Sequence, residues 1–498
     1  MSRYHPAIAP ALAKTLAVLC FAASAHAAPE ISADDARHDL RILQRAFNDL
    51  HPGLYRYATP NNLTAEFAAA DTAVAQGSSR AQMYLLASRL AAAVRCGHTW
   101  TNTSNQSDAV KQAVLARADK LPFTLRWVQG RALVTASVDA AVLAGSELLA
   151  VDGRPVAAIA AALLPYLRAD GLSADGDGKR LAQLDSDENG GAMDRLFPAL
   201  FAPQNGRWQL TLREREGAAP REVTAAAITL EARDRALPTP ASDWQFKITG
   251  DTAVLTLPTF AFWRGGFDPQ AFLARSFQAL NAMPGGVPFL VIDIRRNEGG
   301  DDTIGRALLS YLLKAPTTQP TTRAESAYER APYGLVRYLD TWDYSFFDRT
   351  GQVVKTAGRN WRLPETAARR IEPAAAPYAG RTVVLIGPQN SSAGFLLARD
   401  IKASGAATLL GRPTAGNLRG LNGGQLAWLT LPASGVAVDI PLIANFTAGE
   451  SGTESSPPDA GVQPDIAAPP RWADAVAGID TELAAAQGLI AKWRAGAR

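Results

Sequence analysis

The residues with the clearest chemical potential are a pair of serines between a buried strand and a helix. An apolar strand is predicted over 382–386, and a short turn leads from it into Ser391 and Ser392, where a helix over 393–404 begins. A serine at such a junction is exposed at the positive end of the helix dipole, where first-turn N–H groups lack helical partners. Those groups could stabilise the oxyanion that forms when a serine attacks a carbonyl carbon. The alternative is that one serine simply caps the helix.

A second strand-to-helix junction could supply another backbone donor. The predicted strand over 289–294 is apolar except for Asp293, so we expect it to be buried on both faces. Gly299 and Gly300 follow it, and paired glycines let the backbone approach a ligand closely. A plain turn with a helix cap is the alternative. A phosphate loop is not favoured, because no Gly-Lys-Ser/Thr sequence follows.

A serine nucleophile needs a base, and the chain offers few histidines. Two of the five fall in an N-terminal leader, which leaves His38, His51 and His98. His38 lies on a predicted helix between two charged residues, which indicates a solvated surface position. His51 sits at a helix end, where a structural role is favoured. His98 lies in a helix-to-strand turn and is the best placed of the three, and a lysine base is the other option.

Three segments that differ in predicted secondary structure must position these residues. Residues 28–118 are predicted to be helical, with helices from about 32–50, 63–76 and 80–95. Residues 119–235 form a β-rich module with a loop over 169–191. Residues 236–498 alternate strands and helices, which predicts an α/β domain. Within it, the aromatic-rich insertion 314–378 could be a lid or could pack as a satellite core.

Composition and the N-terminus limit the class of protein. The 498 residues carry 50 Lys and Arg against 47 Asp and Glu, a balance that argues against a nucleic-acid partner. Two cysteines exclude a disulfide framework and a Cys-rich zinc site. Basic residues precede an apolar run over 16–25 and the small-residue sequence Ala25-His26-Ala27, which is typical of a signal peptide. We therefore expect cleavage near Ala27, a periplasmic or secreted protein, and no stable membrane insertion.

Taken together, most of the chain after residue 27 resembles the carboxy-terminal processing (tail-specific) serine peptidases. That family includes the tricorn core and the interphotoreceptor retinoid-binding proteins. The motifs that carry the resemblance are, in chain order, His51-Pro52-Gly53-Leu54-Tyr55, Gly97-His98-Thr99, 291–300, Asn390-Ser391-Ser392-Ala393-Gly394, Gly411-Arg412-Pro413-Thr414-Ala415-Gly416 and Gly461-Val462-Gln463-Pro464-Asp465-Ile466. The resemblance implies a ClpP/crotonase-like α/β core, an N-terminal helical segment and a PDZ-like β module in which no carboxylate-binding loop is evident.

The resemblance also implies roles for individual residues. Ser392 would be the nucleophile, and the N–H groups of Ala393 and of Gly299 or Gly300 would form the oxyanion hole. The processing branch places a lysine base in a Thr-x-Gly-Lys motif, but Asn417 stands at that position. The tricorn-like branch uses a histidine from the N-terminal side, which His98 matches.

That branch orients its histidine with a glutamate before the Gly-Val-x-Pro-Asp motif. Glu450, Glu454 and Asp459 lie in that window. We select Glu454 as the predicted acid, and the alternative for all three is an exposed polar loop.

The sequence therefore predicts an exported serine-type endopeptidase. Ser392 would form an acyl-enzyme with a peptide or protein substrate, and His98 would act as general base. No metal or cofactor is implied. The alternatives are a non-catalytic ligand-binding protein on the same fold, because function does not follow from fold, and an esterase or amidase of small molecules.

Overall fold

The computed structural model describes residues 29–186, 191–237, 243–263, 265–283, 285–447 and 457–496. The predicted signal peptide and two of the three candidate acids, Glu450 and Glu454, lie outside these residues.

The N-terminal segment is helical, as predicted. Its first helix is capped by Ser32, whose side chain accepts from the Asp35 N–H at 3.2 Å. The second begins with Pro60 after the cap residue Thr59, a few residues earlier than expected, because proline suits the first helical position. The helices are Ala33–Leu50, Pro60–Ala73, Arg80–Ala93 and Asp108–Val114.

An antiparallel sheet follows, as the alternating pattern predicted. Its strands are Phe123–Val128, Arg131–Ser137, Glu147–Val151, Arg154–Pro155, Arg207–Arg213 and Arg221–Ala226. The accompanying helices are Val156–Leu163, Ala174–Ala182, Ala192–Arg195, Phe197–Leu200 and Leu230–Ala236. The helix Ala174–Ala182 corrects the loop predicted over 169–191, where two glycines mask the helical pattern. Whether this module is PDZ-like stays a prediction.

The C-terminal half contains a mixed sheet whose central strands are parallel. From one edge to the other, its strands in the described part of the chain are Ile466–Ala467, Thr408–Gly411, Arg381–Ile386, Phe289–Asp293, Thr252–Thr256 and Gln245–Thr249. Only the last pair of neighbours is antiparallel. The helices here are Pro269–Ala282, Asp302–Leu312, Ser392–Ser404, Trp472–Val476 and Thr481–Gly496. The mixed α/β class predicted from the sequence is confirmed.

The central strands are buried on both faces, as their unbroken apolar runs predicted. Leu290 and Ile292 point into the core that contains the helices Pro269–Ala282 and Asp302–Leu312. Phe289 and Val291 point to the opposite face, where they pack with the C-terminal helix. This double burial fixes the strand positions and therefore the loops that leave their carboxyl ends.

The aromatic-rich insertion joins several short strands to the rest of the fold. Its elements are Thr317–Thr318, Thr322–Ser326, Tyr333–Val336, Leu339–Asp340, Val354–Lys355, Trp361–Arg362 and Arg370–Ile371. Thr322–Ser326 pairs with the later strand Ala444–Thr447. Leu339–Asp340 pairs with Leu426–Thr430, which in turn pairs with Ala437–Pro441. Tyr328 and Phe347 belong to the core shared by the N-terminal helices and the antiparallel sheet, whereas Tyr333, Trp342 and Tyr344 are exposed. Part of the insertion therefore packs as core.

None of the helices in the described ranges is long and apolar enough to cross a membrane.

Candidate active site

Two loops meet at the carboxyl ends of neighbouring parallel strands. They follow Phe289–Asp293 and Arg381–Ile386, and they are joined by two asparagines that are fully buried. The Asn390 side chain donates to the Asn297 carbonyl at 3.1 Å and accepts from the Gly387 N–H at 2.8 Å. Since each amide group satisfies buried backbone atoms of the loops, these contacts fix the two loops relative to each other.

Ser392 occupies the first position of the helix Ser392–Ser404, and its backbone is unusual there. Its φ is +48°, a left-handed value that is uncommon for a residue other than glycine. Ser391 is the N-cap residue but makes no side-chain capping bond, and its hydroxyl donates instead to the Glu298 carbonyl at 3.1 Å. The simple capping role that the sequence left open is therefore not seen for Ser391. Strained backbone of this kind is concentrated at functional sites.

The first glycine of the pair, Gly299, lies directly against the serine, whereas Gly300 lies against Phe260. A Cβ placed on Gly299 would stand 2.7 Å from the Ser392 Cβ and from the Ala393 nitrogen, so only glycine fits. The Gly299 N–H donates to the Asn297 side chain at 2.8 Å and is not free to bind an oxyanion. In contrast, the N–H groups of Gly300 and Ala393 make no hydrogen bond within the described part of the chain. Of the two glycines that the sequence left open, Gly300 is the better donor.

His98 lies in the turn after the third helix, and its environment keeps the ring neutral. A Cβ on Gly423 would stand 3.2 Å from the ring, and Nδ1 is buried without a hydrogen-bond partner. Burial, with the positive charges of Lys179 and Arg168 adding to it, lowers the pKa of His98 to about 4. The imidazole is therefore neutral at neutral pH and able to accept a proton. Between the described residues His98 and Ser392 there is no hydrogen bond.

A carboxylate that the sequence did not indicate stands beside His98. One carboxylate oxygen of Asp170, one ring nitrogen of His98 and the Cys96 sulfur lie within 4.8 Å of one another. One Asp170 oxygen accepts from the Gly97 N–H at 2.8 Å, and the other is buried without a partner. The charge of Asp170 raises the pKa of His98 and so partly opposes the effect of burial. These three side chains also offer atom types that could hold a divalent metal ion.

Of the three candidate acids from the sequence, only Asp459 lies within the described residues. Glu450 and Glu454 lie outside the described residues. Asp459 accepts from the Asn417 side chain at 2.6 Å and from the Leu172 N–H at 3.2 Å, so both of its oxygens already have partners. Asn417, which stands where a lysine base would, is itself buried and serves this contact.

The other two histidines lie where the sequence placed them. His51 is fully buried, and its Nε2 is 2.9 Å from the Thr99 hydroxyl. Burial, with the charges of Arg359 and Arg56, lowers the pKa of His51 to about 3. His38 is exposed on the first helix. His51 therefore has a structural contact, and His38 faces solvent.

Comparison with known protein families finds a match in the C-terminal part of the chain. Residues 251–468 match the model of peptidase family S41. This part of the chain is similar to S41 peptidases. The matched residues include Ser392, Gly300 and Ala393, whereas His98 and Asp170 lie outside them. The site is therefore assembled from both halves of the chain.

The fold of most of the chain is similar to that of a solved structure. The structure of mature CPAF complexed with lactacystin is 17% identical, with a TM-score of 0.60, and the match covers 89% of this chain and 95% of that one. The photosystem II D1 C-terminal processing protease is 15% identical over 87% and 92%, with a TM-score of 0.37. The tricorn protease is 11% identical over 93% and 37%, with a TM-score of 0.36. No curated protein matches the chain significantly.

Sequence reasoning missed two charged residues of this site, Asp170 and Lys179. Both fall in the segment that was predicted to be a loop, and neither belongs to a periodic pattern. The position of Asp170 beside His98 depends on its hydrogen bond with Gly97, which lies far from it in sequence, and Lys179 lies on the helix Ala174–Ala182. A helix-start signal near Ser173 could have indicated the helix, but it could not have indicated what the helix packs against.

Proposed function

We propose that the protein is a serine-type peptidase that forms an acyl-enzyme on Ser392 and uses His98 as general base. The observation that carries the proposal is the position of Ser392. It has a positive φ at the start of a helix, Gly299 lies directly against it, and the adjacent Ala393 N–H makes no hydrogen bond in the described part of the chain. A serine held in this way presents its hydroxyl beside donors for a developing oxyanion.

The reaction follows the usual order of acyl transfer. The Ser392 Oγ attacks the peptide carbonyl carbon while its proton passes to His98, and the carbonyl oxygen becomes negative. The N–H groups of Ala393 and Gly300 donate to that oxygen. His98 then gives the proton to the leaving amine as the C–N bond breaks. Water attacks the ester carbon while His98 accepts its proton, and that proton returns to the Ser392 Oγ as the C–Oγ bond breaks and the acid leaves.

The proposal requires His98 to come within reach of Ser392 when substrate binds. Catalytic hydrogen bonds are often long or absent in unliganded sites and tighten in the substrate complex. A neutral imidazole is the form that this step needs, and the low pKa of His98 supplies it at neutral pH.

For the carboxylate that supports His98, we propose two residues. Glu454 is the choice from the family resemblance, and Asp170 is the described carboxylate within 4.8 Å of a ligand atom of the ring. A carboxylate in this position stabilises the imidazolium that forms during the reaction. Glu454→Gln and Asp170→Asn, compared in the same assay, distinguish their contributions.

We also propose export through the N-terminal 27 residues. Expression in a Gram-negative host and N-terminal sequencing of the mature protein test this directly. A mature chain that begins at Ala28 in the periplasmic or secreted fraction supports the proposal, and an unprocessed chain in the cytoplasm contradicts it.

Labelling with a fluorophosphonate probe tests the nucleophile. Wild type should be labelled, Ser392→Ala should not, and Ser391→Ala should retain labelling as the matched neighbouring control. His98→Ala should slow labelling strongly. Absence of labelling in a folded wild type would favour the ligand-binding alternative, and labelling that persists in Ser392→Ala would exclude Ser392 as the nucleophile.

A further inference from the structure

A cavity of about 310 Å³ lies beside the candidate active site. Its walls come from the turn near Trp100, the segment from Arg168 to Arg195, the residues Pro258 and Thr259, and the two loops that carry Glu298 and Gln389. This volume falls at the lower end of small-ligand pockets and suits one side chain or one terminal residue of a peptide.

The cavity shares part of its wall with the nucleophile loop. Glu298 precedes Gly299, which touches Ser392, and the Glu298 carbonyl accepts from the Ser391 hydroxyl. Gln389 lies three positions before Ser392 in the sequence. A peptide whose carbonyl group lies at Ser392 would therefore place a neighbouring group at the mouth of this cavity.

The cavity wall has an excess of positive charge. Four cationic side chains, Arg168, Lys179, Arg195 and Arg296, line it in the described part of the chain, against the carboxylates of Asp185 and Glu298. The Glu298 carboxylate is ion-paired with Arg168 at 2.5 Å. Although burial raises it, the charges of Arg168 and Lys179 lower the pKa of Glu298 to about 2, so this carboxylate stays ionised.

Lys179 is the residue that most clearly points to an anionic ligand. It is only 1% exposed, and its Nζ has no hydrogen-bond partner. Burial lowers the pKa of Lys179, while the charges of Glu298 and Asp170 oppose that shift. A buried ammonium group without hydrogen bonds is costly, and an anion bound in the cavity would offset that cost.

Arg168 is already held in place for such a ligand. Its guanidinium group stacks on the Trp100 ring at 3.8 Å from the centroid and donates to the Gly97 carbonyl at 2.7 Å. A positioned guanidinium group loses little conformational freedom on binding, which favours recognition of a planar carboxylate. The same contact to Gly97 connects the cavity to the turn that carries His98.

We propose that this cavity binds a carboxylate group of the substrate. The inference rests on the proposed function, because it names the substrate class of the same site. The carboxylate could come from an aspartate or glutamate side chain next to the cleaved bond, or from the C-terminus of the peptide. Both offer the same chemistry to Lys179 and Arg168.

Three small probes distinguish these sources. N-acetyl-isoglutamine carries only a side-chain carboxylate, its isomer N-acetyl-glutamine carries only a terminal carboxylate, and N-acetyl-glutamine amide is neutral. Binding is measured by calorimetry at low ionic strength on Ser392→Ala, so no catalysis is needed. We expect one or both acids to bind about tenfold more tightly than the neutral amide. The acid that binds more tightly identifies the source.

Two substitutions test whether Lys179 is responsible for the preference for a carboxylate. Lys179→Met should remove the preference for the acids, whereas Lys247→Met, on an exposed edge-strand position, should retain it. Equal binding of all three probes, or no binding of any, would overturn the inference without the use of a variant.

The failure of the two proposals can be told apart. Fluorophosphonate labelling of wild type without any acid preference leaves the peptidase proposal standing and removes this inference. Acid preference without labelling removes the Ser392 chemistry and leaves the carboxylate site.

Discussion

Gly299 gives the sharpest test of the proposed oxyanion site. Its φ is +110°, and a Cβ there would lie 2.7 Å from the Ser392 Cβ and the Ala393 nitrogen. Gly299→Ala must therefore either adopt a strained backbone or displace the nucleophile loop. Holding alanine at this positive φ lowers the free energy of unfolding by about 1–3 kcal/mol. Displacement of an oxyanion donor costs about 3 kcal/mol in activation free energy, or a loss of rate of two orders of magnitude.

The assay measures the second-order rate constant of fluorophosphonate labelling together with the free energy of unfolding in urea. Gly405→Ala is the matched control, because Gly405 also has a positive φ, +64°, at the opposite end of the same helix, with no atom within 4 Å of its Cβ position. Both variants should lose stability, but only Gly299→Ala should lose labelling. A folded Gly299→Ala that is labelled at the wild-type rate would refute the steric argument.

Four further outcomes are expected. The labelling rate of wild type should hold from neutral pH down to about pH 5 and fall below that as His98 becomes protonated with a pKa of about 4; an acid limb near the ordinary value of 6.5 would contradict the burial of the ring. Asp170→Asn should move this limb to lower pH, because the charge of Asp170 raises the pKa of His98, and an unchanged limb would assign Asp170 a structural role only. Asn390→Ala should lower the free energy of unfolding by about 2–4 kcal/mol, because it leaves buried backbone groups unpaired, which urea titration measures. Asp194→Ala breaks a buried pair in which Arg233 donates twice at 2.7 Å, so it should cost about 3–5 kcal/mol in the same titration while labelling per folded molecule is retained.

The local elements of the site could be predicted because their signals are local. Ser32, Asp268 and Gly405 mark helix ends in the structure, and they are residue types that favour such positions, since caps and left-handed glycines act within a few residues. The buried strands before Gly299 and Ser392 were also predictable, because strands covered on both faces require unbroken apolar runs.

Errors arose where glycines conceal a helix. The segment Ala174–Ala182 contains Gly176 and Gly178, which lower helix propensity, yet it forms a helix that buries Lys179. Tertiary packing outweighs local propensity at such positions. The charged wall of the cavity was therefore not predictable from the sequence.

The sequence by itself determined the types of chemical group: a serine at a helix start, a glycine pair, one well-placed histidine and no lysine at position 417. Only the tertiary structure decided which groups meet. It places Gly299 against Ser392, directs the Gly299 N–H to Asn297, and brings Asp170 to His98. The physical reason is that parallel strands align their carboxyl ends and long-range packing joins distant loops, and neither effect leaves a local pattern in the chain.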